Sequence, residues 1–479
     1  MDKRGIVAGL AELVGDRHVL VEPADTASYT RDWSGDNLAD PLCVVRPAST
    51  AEVSAVIRFA RAHGLAVVPQ GGNTGLVAGT SATGGRDILL NLGRMRAIRS
   101  IEPTDMVMQV EAGLTVEEAR SAAEEVGRLF PLAFGAQGTA QIGGAIAANA
   151  GGLNVLRYGM TRNLVLGLEV VLADGTVVDT LSSLAKDNRG LALHQLFIGT
   201  EGTLGVVTAA SLRLSPRNTR RQTALLAFEG LPEIVAFASD ARAHCSDLLS
   251  AFEFMPGAAI DLATEHVESL RDPLEARHAY YVLLEIAASG PIDLDALLMG
   301  LLEDAMGDGR VLDGVVATSD SQRQELWLLR EAMVEAQAAQ GRHMRTDFSV
   351  PLSRVAQLVK ALELVVEREL PGWTSLAYGH MGDGNVHFNV LPPEGTGQAA
   401  FTTAVGQART RMYEIVRSFD GSLSAEHGIG RERLSALYAD RAPEVLRLAE
   451  TVKALLDPEG RLNPGCLFPV RRDDEGEHA

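Results

Sequence analysis

Between residues 40 and 215, short runs of aliphatic and β-branched residues recur: LCVVRP, LAVVPQ, MVMQVEAG, LEVVLADGTVV and GVVTAASLRL. Segments of helical period separate them, such as STAEVSAVIRFARAHG, in which Val53, Val56, Ile57 and Ala60 share one face. Ser49 or Thr50, with Glu52 in the first turn, starts that helix, and Gly64 ends it. The alternation predicts an α+β domain. From residue 220 onward the helical segments lengthen between strands such as TALLAFEG and HAYYVLLEIAAS, which predicts a second α+β domain. Its clearest helix is SDSQRQELWLLREAMVEAQAAQG, with a Ser/Asp start, apolar Leu326, Leu329 and Met333, and Gly341 as its stop. Residues 430 to 479 predict a further helix, a turn at Leu462 to Gly465 and a frayed charged tail. No internal repeat or long Pro/Ser linker interrupts the chain.

The length of 479 residues supports this division, because single cores stop growing at roughly 250–300 residues. Charge narrows the partners. With 43 basic and 62 acidic residues the net charge is −19, a surface that repels nucleic acid and anionic membrane. It repels anionic substrates too, so a site for an acid needs its own positive charge. Three scattered cysteines, Cys43, Cys245 and Cys466, argue against disulfides or a Cys-ligated metal and suit a reducing cytoplasm. No run reaches 18 apolar residues, and the N-terminus shows no export signal; a soluble protein without an integral membrane segment is expected.

The 48 glycines are concentrated in places. Three clusters, VVPQGGNTGLVAG, FGAQGTAQIGGAIAANAGG and FIGTEGTLG, fall in the first domain, and none is a Walker loop or a GxGxxG fingerprint. Each is compatible with a tight turn. Each can also cradle a pyrophosphate through unhindered backbone N–H groups, with Gly71, Gly72, Asn73, Thr74 and Gly75 as first candidates.

Taken with YGMTRNLVLGLEVVLADGTVV and KDNRGLALHQLFIGTEGTLGVVT, these stretches resemble the FAD-binding domain of the vanillyl-alcohol oxidase superfamily. GHMGDGNVHFNV and SAEHGIG resemble its D-2-hydroxyacid dehydrogenase branch, and the likeness runs over residues 40 to 468. The resemblance implies an α+β fold: an N-terminal extension (1–38), a two-subdomain FAD-binding domain (39–218), a substrate or cap domain (219–425) and a C-terminal segment (426–479) returning to the flavin. It implies that Pro69 to Gly75 wraps the FAD pyrophosphate and that Gly135, Gly138, Thr139, Gly143, Gly144 and Asn149 line the flavin and its chain. Glu201, Gly202 and Val206 are expected near the adenine and ribose, and Asn463 also at the cofactor. Some superfamily members attach FAD through a histidine in the first loop. PQGGNTG has none, so FAD is expected to be non-covalent.

Of eleven histidines, three fall at 380, 387 and 427, the last beside Glu426. Seven-residue spacing puts His380 and His387 on opposite faces of a regular strand, but the Gly382-Asp383-Gly384 turn can fold the chain so that they converge. By themselves these are either satisfied polar residues or a His2Glu set with an open position for zinc, manganese or iron. The resemblance implies the second, with His380, His387 and Glu426 as ligands, zinc first and manganese next. Oxidising a 2-hydroxy acid requires loss of the hydroxyl proton and transfer of hydride from C2 to flavin N5. Zinc lowers the pKa of bound water from about 15.7 to about 7, and a bound alcohol responds in the same direction. His427, with an ordinary pKa of about 6.5, is then the expected base, and Asn389 an expected donor to the substrate carboxylate.

For the far end of the substrate, Arg330 and Arg345 offer positive charge, Arg345 in a strand read over HMRTDFSVP. In the D-2-hydroxyglutarate branch these positions carry arginine, a threonine one turn later and a lysine. Arg330 matches, Val334 replaces the threonine and Arg345 the lysine, while Cys466 stands where the family usually has lysine. The leading expectation is oxidation of D-2-hydroxyglutarate, with D-lactate or D-malate next, and with electrons passed to an electron-transfer flavoprotein or quinone by a homodimer. The rivals are a flavin subunit of a glycolate-oxidase-like complex and a flavin-binding protein with a structural metal.

Overall fold

The computed structural model describes residues 1–33, 38–82 and 84–470, in two compact units. The first comprises Met1–Gly152, Gly159–Arg217 and Glu426–Ala479, and the second Leu153–Tyr158 and Asn218–Ala425. The charged tail expected to fray lies, over 471–479, outside the described residues.

In the first unit one sheet runs in the order Val19–Leu20, Cys43–Val45, Asp87–Asn91, Ala66–Gln70, with the last three strands parallel. Parallel pairing needs a crossover, and the helix Thr50–Ala62 supplies it. Ser49 caps that helix by accepting from the Glu52 N–H, and Val53, Val56, Ile57 and Ala60 are buried on its inner face. The segment read as an N-terminal extension is part of this unit, since Val19–Leu20 pairs antiparallel with residues 44 and 45. A second sheet, Ile98–Glu102, Val107–Glu111, Val206–Arg213, Val165–Val171, Val177–Asp179, is antiparallel. Two helices, Leu434–Asp440 and Pro443–Leu456, occupy the C-terminal segment, where one was expected.

The second unit is built on seven antiparallel strands in the order Asp313–Val316, Arg220–Phe228, Tyr280–Ala288, Leu249–Pro256, Thr374–His380, Asn385–Leu391, Phe348–Ser349. Both sheet faces are buried, which is why these strands read as continuous apolar runs. Leu226, Phe254 and Leu284 enter one core, while their chain neighbours Leu225, Met255 and Leu283 enter the other. The helix Asp320–Ala339, capped by Ser319, adds Leu326, Leu329 and Met333 to that second core. Leu153–Tyr158 belongs here because Arg157 donates to the Ala287 carbonyl (2.7 Å) and Leu156 packs at Gly382.

The strand read over HMRTDFSVP is shorter than expected. Only Phe348–Ser349 pairs as a strand, with Met344 in an isolated bridge to Val390. The Asp347 carbonyl instead accepts from the Ala425 N–H at 3.1 Å, which takes it out of the ladder.

Candidate active site

In the first unit the three glycine clusters meet. A side chain at Gly72 would lie 2.0 Å from the Thr139 carbonyl, and one at Gly71 would lie 3.6 Å from the Gly144 Cα. Gly202, at φ +73°, approaches Pro69, and the Glu201 N–H donates to the Ala147 carbonyl at 2.8 Å. Thr80 donates to Asn73, itself left-handed at φ +56°. The Asn149 carboxamide accepts the Arg162 N–H at 2.9 Å. Not all these glycines are required by packing. A methyl at Gly75, Gly135 or Gly144 would meet no other described atom of this unit within 4 Å, so these positions leave room beside the backbone for a ligand. Gly143 and Gly138 differ, with Ala112 Cβ at 2.7 Å and Glu117 Oε2 at 2.9 Å from such a methyl. The cradle fits a dinucleotide whose phosphates accept from backbone N–H groups.

The C-terminal segment is fastened to the same unit. Glu201, half-buried and at φ +50°, accepts the Ile429 and Gly430 N–H groups, each at 2.8 Å, and the Cys466 thiol at 3.2 Å. Its carboxylate is thus turned to this loop, and burial raises its pKa. Asn463 donates to the Gly79 and Glu201 carbonyls, at 2.9 and 2.6 Å, and accepts from Arg431. Val206 is buried at the start of its strand. This framework carries Glu426 and His427, whose Oε1 and Nε2 lie 3.9 Å apart, with Glu426 Oε2 3.0 Å from where a Gly151 side chain would begin.

The second unit holds His380, His387 and the arginines. Tyr378 pairs in register with His387, and Leu376 with Asn389, across the hairpin made by the Gly382-Asp383-Gly384 turn. His380 lies two residues beyond Tyr378 and therefore on the same sheet face, so the turn brings the two imidazoles together, with ring centroids 5.5 Å apart. On the neighbouring strand Glu253 is in register with His380, and its Oε1 lies 2.6 Å from His380 Nδ1. His387 Nδ1 is 3.6 Å from Asp347 Oδ1. His380 thus has a carboxylate within hydrogen-bond distance of Nδ1, which places its ring lone pair on Nε2, whereas Asp347 lies too far from His387 Nδ1 for a hydrogen bond. The donor chemistry fits a divalent transition metal.

The helix Asp320–Ala339 lays Arg330, Met333 and Gln337, at helical spacing, against this face. Arg330 Nε donates to Glu253 Oε2 at 3.0 Å, and its guanidinium lies 5.2 Å from the Tyr378 ring centroid. Burial pulls the Glu253 pKa upward, but His380 and Arg330 outweigh it and hold the carboxyl below its ordinary value. Val334, one turn past Arg330, is turned outward and 39% exposed. Arg345 Nε donates to His343 at 3.2 Å. Asn389 already donates both amide hydrogens, to Gln337 (2.8 Å) and Tyr378 (3.0 Å), so donation to a substrate requires breaking one of these.

Sequence reasoning missed Glu253 and Asp347. Asp347 is fully buried and accepts from Asn385 Nδ2 (2.8 Å) and from the N–H of Ala425 (3.0 Å), the residue before Glu426. For Glu253 a signal existed: one carboxylate between two phenylalanines in the apolar strand LSAFEFMP.

Comparison with known proteins decides the family. Residues 41–181 match the FAD binding domain family and residues 217–467 the C-terminal domain of FAD-linked oxidases. The chain belongs to the FAD-linked oxidases. Along 462 residues this oxidase is 38% identical to the D-2-hydroxyglutarate dehydrogenase of Xanthomonas citri pv. viticola, covering 96% of each chain. It is 39% identical to the mitochondrial D-2-hydroxyglutarate dehydrogenase of Bos taurus over 97% of this chain and 83% of that one. Its fold is shared with substrate-bound p-cresol methylhydroxylase at a TM-score of 0.78 and 16% identity, covering 98% of this chain and 97% of that one. The architecture is thus the α+β fold of vanillyl-alcohol-oxidase-type flavoenzymes. Among the described residues no helix is long and apolar enough to cross a membrane.

Proposed function

We propose that this FAD-linked oxidase converts D-2-hydroxyglutarate to 2-oxoglutarate with non-covalent FAD and a divalent cation. The observation that carries the reading is the match to proteins named D-2-hydroxyglutarate dehydrogenase along 96–97% of the chain. Two features of the chain support it. Arg330 provides buried positive charge close to the histidine pair, which a substrate with a second carboxylate needs in a protein of net charge −19. His380 carries a carboxylate partner at Nδ1, as metal-binding histidines do, and Asp347 adds negative charge 3.6 Å from His387 Nδ1.

In this reading FAD is held by the 69–75, 135–149 and 199–206 segments and, when bound, supplies a two-electron acceptor for the C2 hydride. The absence of histidine from PQGGNTG supports non-covalent attachment. His380, His387 and Glu426 hold the cation, which supplies Lewis acidity to the substrate hydroxyl. His427 removes the hydroxyl proton as hydride leaves C2. Arg330 holds the distal carboxylate, with Arg345 adding a planar guanidinium. Asn389, through Tyr378 and Gln337, keeps the sheet face beneath the substrate rigid. The reduced protein passes its electrons to an electron-transfer flavoprotein or a quinone. Three free, buried cysteines support a reducing cytoplasm as its setting.

The test is turnover with a dye acceptor on D-2-hydroxyglutarate, D-malate and D-lactate, with the keto acid identified. D-2-hydroxyglutarate should give the highest kcat/KM, and Arg330→Met should erase that preference over D-lactate. Equal kcat/KM for D-lactate in the unaltered protein would overturn the substrate assignment.

A further inference from the structure

Glu253 touches two residues to which the proposed function gives different tasks. Its Oε1 lies 2.6 Å from His380 Nδ1 and its Oε2 accepts Arg330 Nε at 3.0 Å, on a side chain 1% exposed in the middle of the sheet. We infer that Glu253 is a positioning residue that couples the cation-binding histidine His380 to the carboxylate-binding arginine Arg330. This rests on the function proposed above.

An imidazole that donates Nδ1–H to a carboxylate keeps its lone pair on Nε2, the form a cation requires. Glu253 enforces that form from an adjacent strand, in register with His380, so the ring has little freedom to turn. The same carboxylate grips Arg330 by its inner nitrogen and thereby orients the two terminal nitrogens of the planar guanidinium for a carboxylate fork. One negative charge is shared between these two donors. A cation on Nε2 makes Nδ1–H a stronger donor and draws the Glu253 charge toward His380. Arg330 is then less neutralised and holds a second carboxylate more tightly. Cation and dicarboxylate therefore bind with positive cooperativity, and a 2-hydroxy acid without the second carboxylate does not benefit.

The experiment compares the FAD-loaded wild type with Glu253→Gln, which has nearly the same shape and no charge. Zinc affinity is read by competition with a chromophoric chelator, alongside FAD content and melting temperature. The expected result is about 10- to 100-fold weaker zinc binding at unchanged FAD content. In the zinc-saturated variant, KM for D-2-hydroxyglutarate should rise by a larger factor than kcat falls. Zinc affinity within twofold of the wild type would overturn the inference while leaving the proposed function intact. A wild type that takes up no zinc or manganese would overturn the cation part of the proposed function, and this inference with it. Should the variant not fold, histidine-labelled 15N spectra of the zinc-loaded wild type decide the matter, with His380→Ala assigning the signal. Zinc on His380 Nε2 supports the coupling, and zinc on Nδ1 refutes it.

Discussion

Gly144 lies in the short helix Ile142–Ala148, and a methyl there would meet no described atom within 4 Å beyond its chain neighbours and its own helix backbone. Folding therefore does not ask for glycine at this position. In a helix, alanine is favoured over glycine by about 0.5–1 kcal/mol, because the unfolded chain has less freedom to lose. Gly144→Ala should accordingly raise the melting temperature of the deflavinated protein by about 1–3 °C. If the open space beside Gly144 is where FAD approaches the backbone, the added methyl overpacks the holoprotein by about 1–3 kcal/mol. That corresponds to about 5- to 150-fold weaker FAD binding. The two effects have opposite signs, which separates a ligand-imposed glycine from a packing-imposed one. Gly72→Ala is the contrast, since its side chain would lie 2.0 Å from the Thr139 carbonyl and should destabilise the deflavinated protein itself. The assay is titration of deflavinated protein with FAD, followed by quenching of flavin fluorescence, with parallel melting curves. Gly144→Ala binding FAD as tightly as wild type would refute the cradle.

Three further outcomes are expected. His427→Ala should retain FAD but slow anaerobic flavin reduction by at least about 100-fold, and normal reduction would remove it as the base. Gly430→Ala forces an alanine to φ +55° with its side chain 1.8 Å from the Val77 carbonyl, so the loop after His427 must move; lower melting temperature together with lower activity is the readout. Burial raises the Glu169 pKa, but Arg99, Thr50 and Thr208 outweigh it and hold the carboxyl below its ordinary value. A depressed pKa contributes stability above the unfolded value of about 4.3 that is lost as pH falls through the folded one. Glu169→Gln should therefore be less stable at neutral pH and lose less stability on acidification, and an equal acid slope in both proteins would contradict this.

Local signals in the chain carried much of the fold. The helices at Thr50–Ala62 and Asp320–Ala339 announced themselves through capping serines, one apolar face and a terminal glycine. The convergence of His380 and His387 was also legible, because a Gly-Asp-Gly turn between two histidines allows a hairpin. What the sequence hid was long-range pairing. Glu253 meets His380 across 127 positions and Arg330 across 77; its apolar strand LSAFEFMP signals burial, but nothing local names either partner. The short pairing around Arg345 was hidden for the same reason, since the Asp347 carbonyl is taken by Ala425, far along the chain. On the same helix Arg330, Met333 and Gln337 are buried while Val334 is 39% exposed, a difference that the residue types alone do not announce.

Cation-dependent oxidation of D-2-hydroxyglutarate is tested by anaerobic bleaching of the bound flavin, measured before chelation, after it, and after zinc or manganese is restored. Rapid bleaching is expected, with its loss on chelation while FAD stays bound and its recovery with the metal. Bleaching that survives complete metal removal would contradict the cation's part in the reaction, and flavin that no D-2-hydroxy acid bleaches would contradict the proposed function itself.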